Sequence, residues 1–411
     1  MVTPTTRRSF RFAMFALLYF VQGSALAYFR NFQKPYLDQS GVDADLIGLL
    51  TAILLVPFIL KIFIGMLSDR VNLLGLGHRK PYIVAGLVLA GLGFGLASLF
   101  DPANSIVPFM GLMIVGSFSV ALFDSTTDGL AIDTTPPREQ AAVQGFMVGG
   151  RALGFIVLSL IFGVLVQAEG YAPMFVIIGL GMLLPLLLVL QIHESPEREP
   201  DQRFEWSAFG GLGKPQFLIF GAYAVLYSVT SFGLDGLPTF YLSEAFGSTG
   251  AVLGNYGALR GVGAVVGAVG AGFLMSRVGR PATAFGALIG VSIGALLFGL
   301  TSSVQQVLGV GLVWGVAWGF QETVFVALAM SVADSRIAAS MFAIMMAVSN
   351  LGSAIGEGVF TGLTDNLSFS MVFMIIAGIN LIVLPVLWGF FRVSAQQAVP
   401  DAGALAPAEG K

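Results

Sequence analysis

The sequence predicts an all-α integral membrane protein: twelve transmembrane helices in two pseudo-symmetric six-helix bundles. Three observations carry this reading. Only 10% of the 411 residues are charged, 56% are hydrophobic and mean hydropathy is +0.87. A soluble protein averages about 25% charged residues, so this chain has too few charges to cover a soluble surface. The apolar residues fall into twelve long runs, and the first six runs echo the second six. The same composition excludes a disordered chain, an ordinary cytosolic enzyme and a nucleic-acid binder, because the net charge is −3 and no basic footprint exists. Without cysteine, and with only His78 and His193, each in a polar stretch, neither a disulfide nor a thiolate or imidazole metal site is expected.

A spanning helix needs about 20 mostly apolar residues. The runs cover 12–29, 46–67, 81–100, 106–130, 139–165, 172–192, 215–242, 250–275, 282–301, 304–331, 337–363 and 369–391. They are too long and too continuously apolar for the alternating strands of a β-barrel. The first run follows Arg7, Arg8 and Arg11 and ends in Ala25-Leu26-Ala27, which a cleavable signal peptide would also show. Its length and its counterpart in the second half favour a retained helix. With the N-terminus inside, cytoplasmic segments hold 15 of the 20 lysines and arginines; external loops hold Arg30 and Lys34. That asymmetry puts both termini in the cytoplasm of a multi-pass inner-membrane protein.

The longest polar stretch, 193–214, divides the chain into an N-terminal bundle (1–192) and a C-terminal bundle (215–393), followed by a tail (394–411) read as disordered from its Ala, Pro and Gln content. The halves repeat. Gly65-Met66-Leu67-Ser68-Asp69-Arg70 corresponds at an offset of 207 to Gly272-Phe273-Leu274-Met275-Ser276-Arg277. An offset of 198 pairs Asp124 with Glu322, Arg138 with Arg336 and Leu153-Gly154 with Leu351-Gly352. Duplicated six-helix units are a transporter signature.

The loop after the second run, Gly65-x-x-x-Asp69-Arg70 with Arg79-Lys80 beyond an insertion, resembles the signature loop of the major facilitator superfamily. The resemblance implies that Gly65, Asp69, Arg70, Arg79, Lys80 and the repeat's Arg277 form a latch that shuts the cytoplasmic side and breaks as the bundles rock. Simple topology charges would also fit these positions. Lys61, eight residues before Asp69, Phe123-Asp124-Ser125-Thr126-Thr127-Asp128, and Gly150-Arg151-Ala152-Leu153-Gly154 are together similar to the AmpG-type muropeptide permeases, acetyl-coenzyme A transporters and siderophore permeases. This finer likeness covers about residues 20–155, with Ala152 as an extra residue. It implies a muropeptide-, acyl-coenzyme A- or siderophore-like solute. The span-four arginine of sugar and drug facilitators and the span-five proline-glycine motif of drug antiporters are absent.

A charge at the bilayer centre costs at least about 2.5–3.5 kcal/mol, which makes intramembrane charges functional candidates. Eight are expected: Lys61, Asp124, Asp128, Arg151, Asp235, Arg260, Glu322 and Glu357. Asp124 and Asp128 share one helix face, so they need a shared proton or a cation such as Lys61 or Arg151. With Glu322, this set is the expected proton-coupling element; a permanent structural ion pair is the alternative. Arg151 and Arg260, from opposite halves, could grip an anionic substrate or instead pair internally with Glu357 or Asp235. Gln22, Tyr28, Tyr227, Tyr256, Trp314, Trp318 and Gln321 complete the candidate substrate lining, though such aromatics also serve packing. No cofactor is expected, and no nucleophile–base pair or nucleotide-binding domain is present.

The reading is a monomeric, proton-coupled symporter that moves an anionic or zwitterionic organic solute across the bilayer by alternating access. The alternatives are a proton-coupled drug or metabolite efflux antiporter and a non-transporting membrane assembly factor on the same fold.

Overall fold

The computed structural model describes residues 7–136, 139–192, 213–332 and 338–398. The side chains of residues 69, 74, 140, 141, 331, 338–343, 397 and 398 are outside that description. The described chain contains helices and no strand. The first half contributes α1 (Arg8–Asn31), α2 (Gln33–Gln39), α3 (Ala44–Ile59), α4 (Lys61–Arg70), α5 (Lys80–Ala97), α6 (Pro102–Thr134), α7 (Gln140–Glu169), α8 (Ala172–Leu183) and α9 (Leu186–Val189). The second contributes α10 (Pro215–Asp235), α11 (Pro238–Phe246), α12 (Ala251–Val278), α13 (Arg280–Gly299), α14 (Val304–Val332), α15 (Ala338–Gly362) and α16 (Phe369–Ala398).

Local sequence sets these boundaries. Proline stands in the first turn of α5, α6, α8, α10, α11 and α13, where its missing N–H has no intrahelical partner to lose. Gly170 and Gly279 end α7 and α12 at φ of 80° and 85°, a region open to glycine at no steric cost. Lys61 begins α4 after a break at Leu60, three residues past Pro57. The run expected at 215–242 is likewise two helices, parted at Gly236-Leu237.

Among the described residues, eleven helical spans are long and apolar enough to cross a membrane. The remaining expected run, 337–363, is α15, whose face carries Ser349, Asn350, Ser353 and Glu357 and which packs against α10 and α3. Enclosure by those neighbours is what lets it be more polar. The linker at 193–212 lies outside the described residues. The tail departs from expectation: α16 continues through Ala398, and Ser394 accepts a bond from Gln216 Nε2 (2.9 Å). Ala395, Gln396, Gln397 and Ala398 are good helix formers, and Pro400 follows.

Apolar side chains such as Leu99, Val107, Leu187, Val269 and Ile382 are exposed on the outside of the bundle. In water such an exterior would aggregate; here it is the lipid-facing surface of a multi-pass membrane protein. Within the bundle, helices approach through small residues. A Cβ at Gly154 would overlap Phe20 O, and one at Gly356 would overlap Val229 O. These two contacts belong to the α1–α7 and α10–α15 pairs, equivalent places in the two halves, and lipid gives helices no hydrophobic reason to associate beyond such packing.

Bonds between the halves cluster at the end opposite the termini. Gln39 Nε2 donates to Ser243 Oγ (3.1 Å), Ala44 and Asp45 N–H donate to the Asp365 carboxylate (3.1 and 2.8 Å), and Ala251 N–H donates to Gln167 Oε1 (3.3 Å). Of the cross-half hydrogen bonds seen among the described residues, the deepest toward the termini is Asn350 Nδ2 to Phe58 O (3.1 Å). Among the described residues, the hydrogen bonds between the halves are thus concentrated at one end. Gly154→Ala should cost about 1–3 kcal/mol of stability by overpacking, read as a lower unfolding temperature in detergent. Gly145→Ala, at a glycine with nothing within 4 Å, should leave that temperature unchanged.

Candidate functional site

Lys61 projects from the first residue of α4 toward α6. Its Nζ donates to Asp124 Oδ2 (2.5 Å) and Asp128 Oδ2 (3.0 Å). Asp124 and Asp128 are one turn apart, and a cation between them removes most of the repulsion of two buried carboxylates. Tyr19 OH of α1 donates to the other Asp128 oxygen. Asp124 is buried, whereas the Asp128 side chain is 38% exposed, so this triad has one protected acid and one that reaches the open space between the halves.

The second half carries a reduced copy. Tyr227 OH donates to Glu322 Oε1 (2.7 Å), as Tyr19 does to Asp128. The two tyrosines occupy matching stretches, Leu18-Tyr19-x-Val21 and Leu226-Tyr227-x-Val229, at an offset of 208. That repeat was available in the sequence and marks Tyr19, which the charge inventory missed. The position equivalent to Lys61 at the 207 offset is Ala268, so Glu322 has no lysine of its own. Its charged neighbours are Arg151, Arg260 and Asp235.

Arg151 is the exposed intramembrane base. It stands with Cζ 5.8 Å from the Tyr19 ring centroid and makes no ion pair among the described residues. Arg260 takes the other course open to it. Its Nε and Nη2 donate to the two Asp235 oxygens (2.9 and 2.6 Å), and it stacks 3.8 Å above the Trp318 ring. Trp314 is fully buried and donates to the same Asp235 (2.9 Å).

The expected lining divides accordingly. Trp318 Nε1, Gln22 Oε1 and Gln321 Oε1 are buried without a hydrogen-bond partner among the described residues, while Gln321 Nε2 donates to Tyr223 OH (2.9 Å). The Tyr28 and Tyr256 hydroxyls are likewise buried without a hydrogen-bond partner among the described residues, and their rings pack within their own halves. Tyr28 sits edge-on to Phe175 at 4.9 Å, and Tyr256 packs against Phe298 and Gly311. Trp314 and Asp235 are likewise held inside the second half by Arg260, not presented to a solute.

The charge inventory needs a second correction. Arg30 and Lys34, expected in an external loop, are drawn inward at the end of α1 and on α2. Lys34 Nζ donates to Glu357 Oε2 (2.5 Å), Arg30 donates to Glu357 Oε1, and Arg30 Nε lies 3.9 Å from Asp235 Oδ2. Glu357 is 1% exposed and Lys34 3%, so Glu357 serves two cations of the opposite half rather than an open cavity. With Arg30 and Lys34 added, the expected inventory of three bases and five acids becomes five of each, so the excess of acids disappears. Beside the network a small cleft of about 40 Å³ is lined by Leu26, Phe29, Arg30, Gln33, Phe58 and Glu357 among others.

Among the described residues, the bonds seen for the expected latch residues Arg79 and Lys80 lie within the first half. Arg79 is buried and donates to Asp133 Oδ2 (2.9 Å) and Ser68 Oγ (2.7 Å), and Lys80 Nζ donates to the carbonyls of Leu190 and Ile192 (2.8 Å each). Arg277 stacks on Phe273 of its own helix at 4.2 Å. Gly65 approaches Ser125 only at ordinary contact distance, Arg70 ends α4, and the Asp69 side chain lies outside the described residues. Arg11, read as a topology charge, is buried against Glu139. No group of three or more His, Cys, Asp or Glu residues that could hold a metal occurs among the described residues.

Removing Lys61 while keeping both acids leaves two adjacent carboxylates in a poor dielectric. Lys61→Met should destabilise the protein by about 3–5 kcal/mol. Lys61→Met with Asp124→Asn should recover most of that loss, as read by unfolding in detergent.

A model of the Major Facilitator Superfamily matches residues 14–241 and 236–408. The chain is 25% identical over 346 residues to the cis,cis-muconate transport protein of Acinetobacter baylyi, covering 78% of this chain and 79% of that one. It is 26% identical over 207 residues to the quinolone resistance protein NorA of Staphylococcus aureus, where it spans about half the length of each protein (50% and 51%). A bacterial homologue of the human lysosomal transporter Spinster, in an inward-facing and unoccupied conformation, superposes with a TM-score of 0.77 at 17% identity over 96% of this chain and 99% of that one. The nucleoside transporter NupG gives 0.73 at 13% identity over 93% and 98%. The family match spans both halves of the chain, and with the helical fold it makes this protein a member of the Major Facilitator Superfamily.

Proposed function

We propose that the protein is a monomeric secondary transporter of the inner membrane, with both termini cytoplasmic, that takes up an anionic or zwitterionic organic solute together with protons. The observation that carries this reading is the pairing of opposites across the central space. Arg151 of the first half has no ion-pair partner among the described residues, and Glu322 of the second half has a tyrosine where Asp124 has a lysine. The interior charges otherwise balance. A carboxylate seated on Arg151 would leave one negative charge uncompensated in a low dielectric; a proton on Glu322 restores the balance. For a zwitterion, the ammonium group would meet Glu322 instead.

The Lys61–Asp124–Asp128 triad is the second candidate proton site, since Asp128 reaches the open space and Asp124 does not. Gln22, Trp318 and Gln321 each offer an unpaired polar atom for the solute's hydrogen bonds. The residues that resemble AmpG-type permeases lie in this same first half. The likeness to a muconate transport protein supports an acidic solute.

Proton-coupled efflux is the second reading, favoured by the 207-residue likeness to NorA. Both are tested by reconstituting the protein in liposomes and following labelled cis,cis-muconate and muropeptide under imposed pH gradients. Symport predicts accumulation on the alkaline side that a protonophore abolishes; efflux by antiport predicts accumulation on the acidic side. Accumulation indifferent to the proton gradient overturns the coupling. Arg151→Ala should lower transport of an accepted acidic solute about 10–100-fold, the worth of one charge-assisted bond. Glu322→Gln should keep solute exchange while losing proton-driven accumulation.

A further inference from the structure

We propose that Glu357 is the charge lock of the gate opposite the termini: one carboxylate of the C-terminal half that holds the gate shut by neutralising two cations of the N-terminal half, Arg30 and Lys34. The inference concerns the gate alone and does not depend on which solute is carried.

The geometry separates this network from an ordinary surface ion pair. Glu357 and Lys34 are all but sealed, and Arg30 is largely so. Each of the two Glu357 oxygens takes one cation. Buried charges are tolerated only while paired, so within the closed gate neither cation can be left without Glu357. Asp235 cannot take over this role: both its oxygens are engaged by Arg260, Trp314 bonds one of them, and Arg30 Nε remains 3.9 Å away. Arg30 also lies over the ring of Phe232 (5.2 Å), which belongs to the second half.

The lock is placed where the halves meet. Thr239 Oγ1 donates to Arg30 O (3.2 Å), Gln39 bonds Ser243, and the Asp365 carboxylate caps the first N–H groups of α3. Backbone contact is equally close: a Cβ at Gly48 would sit 2.5 Å from Gly358 O, one residue beyond Glu357. Opening this end must pull Glu357 away from Arg30 and Lys34. Once open, all three face water, where separated charges carry a small penalty. The lock therefore acts only in the closed state, which is the property a gate requires. Gly236 marks how little room the lock has, since a Cβ there would overlap both Glu357 Oε2 and Lys34 Nζ.

The test exploits the absence of cysteine from the chain. Gln39→Cys with Ser243→Cys places one reporter thiol on each side of the seam, and a short bis-methanethiosulfonate reagent reports the closed fraction in full-length protein. Glu357→Gln should reduce the ratio of cross-linked to free protein about tenfold, equivalent to about 1.4 kcal/mol. Adding Arg30→Met and Lys34→Met to Glu357→Gln leaves Arg260 with Asp235 as a balanced pair and should restore cross-linking. A Glu357→Gln protein that cross-links normally overturns the lock, and so does a loss of cross-linking that the two methionines fail to restore.

Discussion

Compensation of charge inside a low-dielectric core is the constraint on which the rest of this structure depends. An unpaired ion in the bilayer costs more than most packing contacts return, so interior bases are tied to particular acids. Lys61 binds Asp124 and Asp128, Arg260 binds Asp235, and Arg30 with Lys34 binds Glu357. These ties decide which helices adjoin. The first joins α4 to α6, the second α12 to α10, and the third joins the two halves. Among the described residues Arg151 is the intramembrane base without such a tie, and it borders the space between the halves.

Small residues make those ties possible. Glycines on α1, α7, α10, α12, α14 and α15 bring helices together so closely that a methyl group would overlap atoms of the next helix. Close backbones leave a narrow core, and a narrow core excludes water from the ion pairs. The same pattern recurs in both halves, so duplication copied the scaffold. It did not copy the charges equally: the Tyr–carboxylate bond is present twice, while the lysine is present once. The two halves therefore present chemically different walls to the space between them, one basic at Arg151 and one acidic at Glu322.

This difference gives the fold a direction. At one end the halves are held by Glu357, Asp365 and Gln167. At the other, Arg79 and Lys80 bond within their own half. An electrostatic gate suits alternating access because its strength depends on its state: the pairs matter while buried and little once water reaches them. A hydrophobic seal would lack that dependence on opening.

Much of this was legible in the chain. Run length and hydropathy determined the membrane helices, prolines and glycines determined many of their ends, and the i, i+4 spacing of Asp124 and Asp128 determined that the pair needs a shared proton or a nearby cation. The offset of 208 between Tyr19 and Tyr227 was legible too, though only a known hydrogen bond gives it meaning. Other features were not local and could not be read there. Arg30 and Lys34 look like loop charges because their own neighbours in sequence are polar or interfacial. Trp314 looks like a cavity residue because a helix pattern does not say which neighbour covers which face. The sequence by itself determined that these charges are in or near the bilayer, since hydropathy is a property of a segment. Only the tertiary structure decided which acid meets which base, because that pairing joins residues as far apart as Lys34 and Glu357 and exists only once the helices have packed.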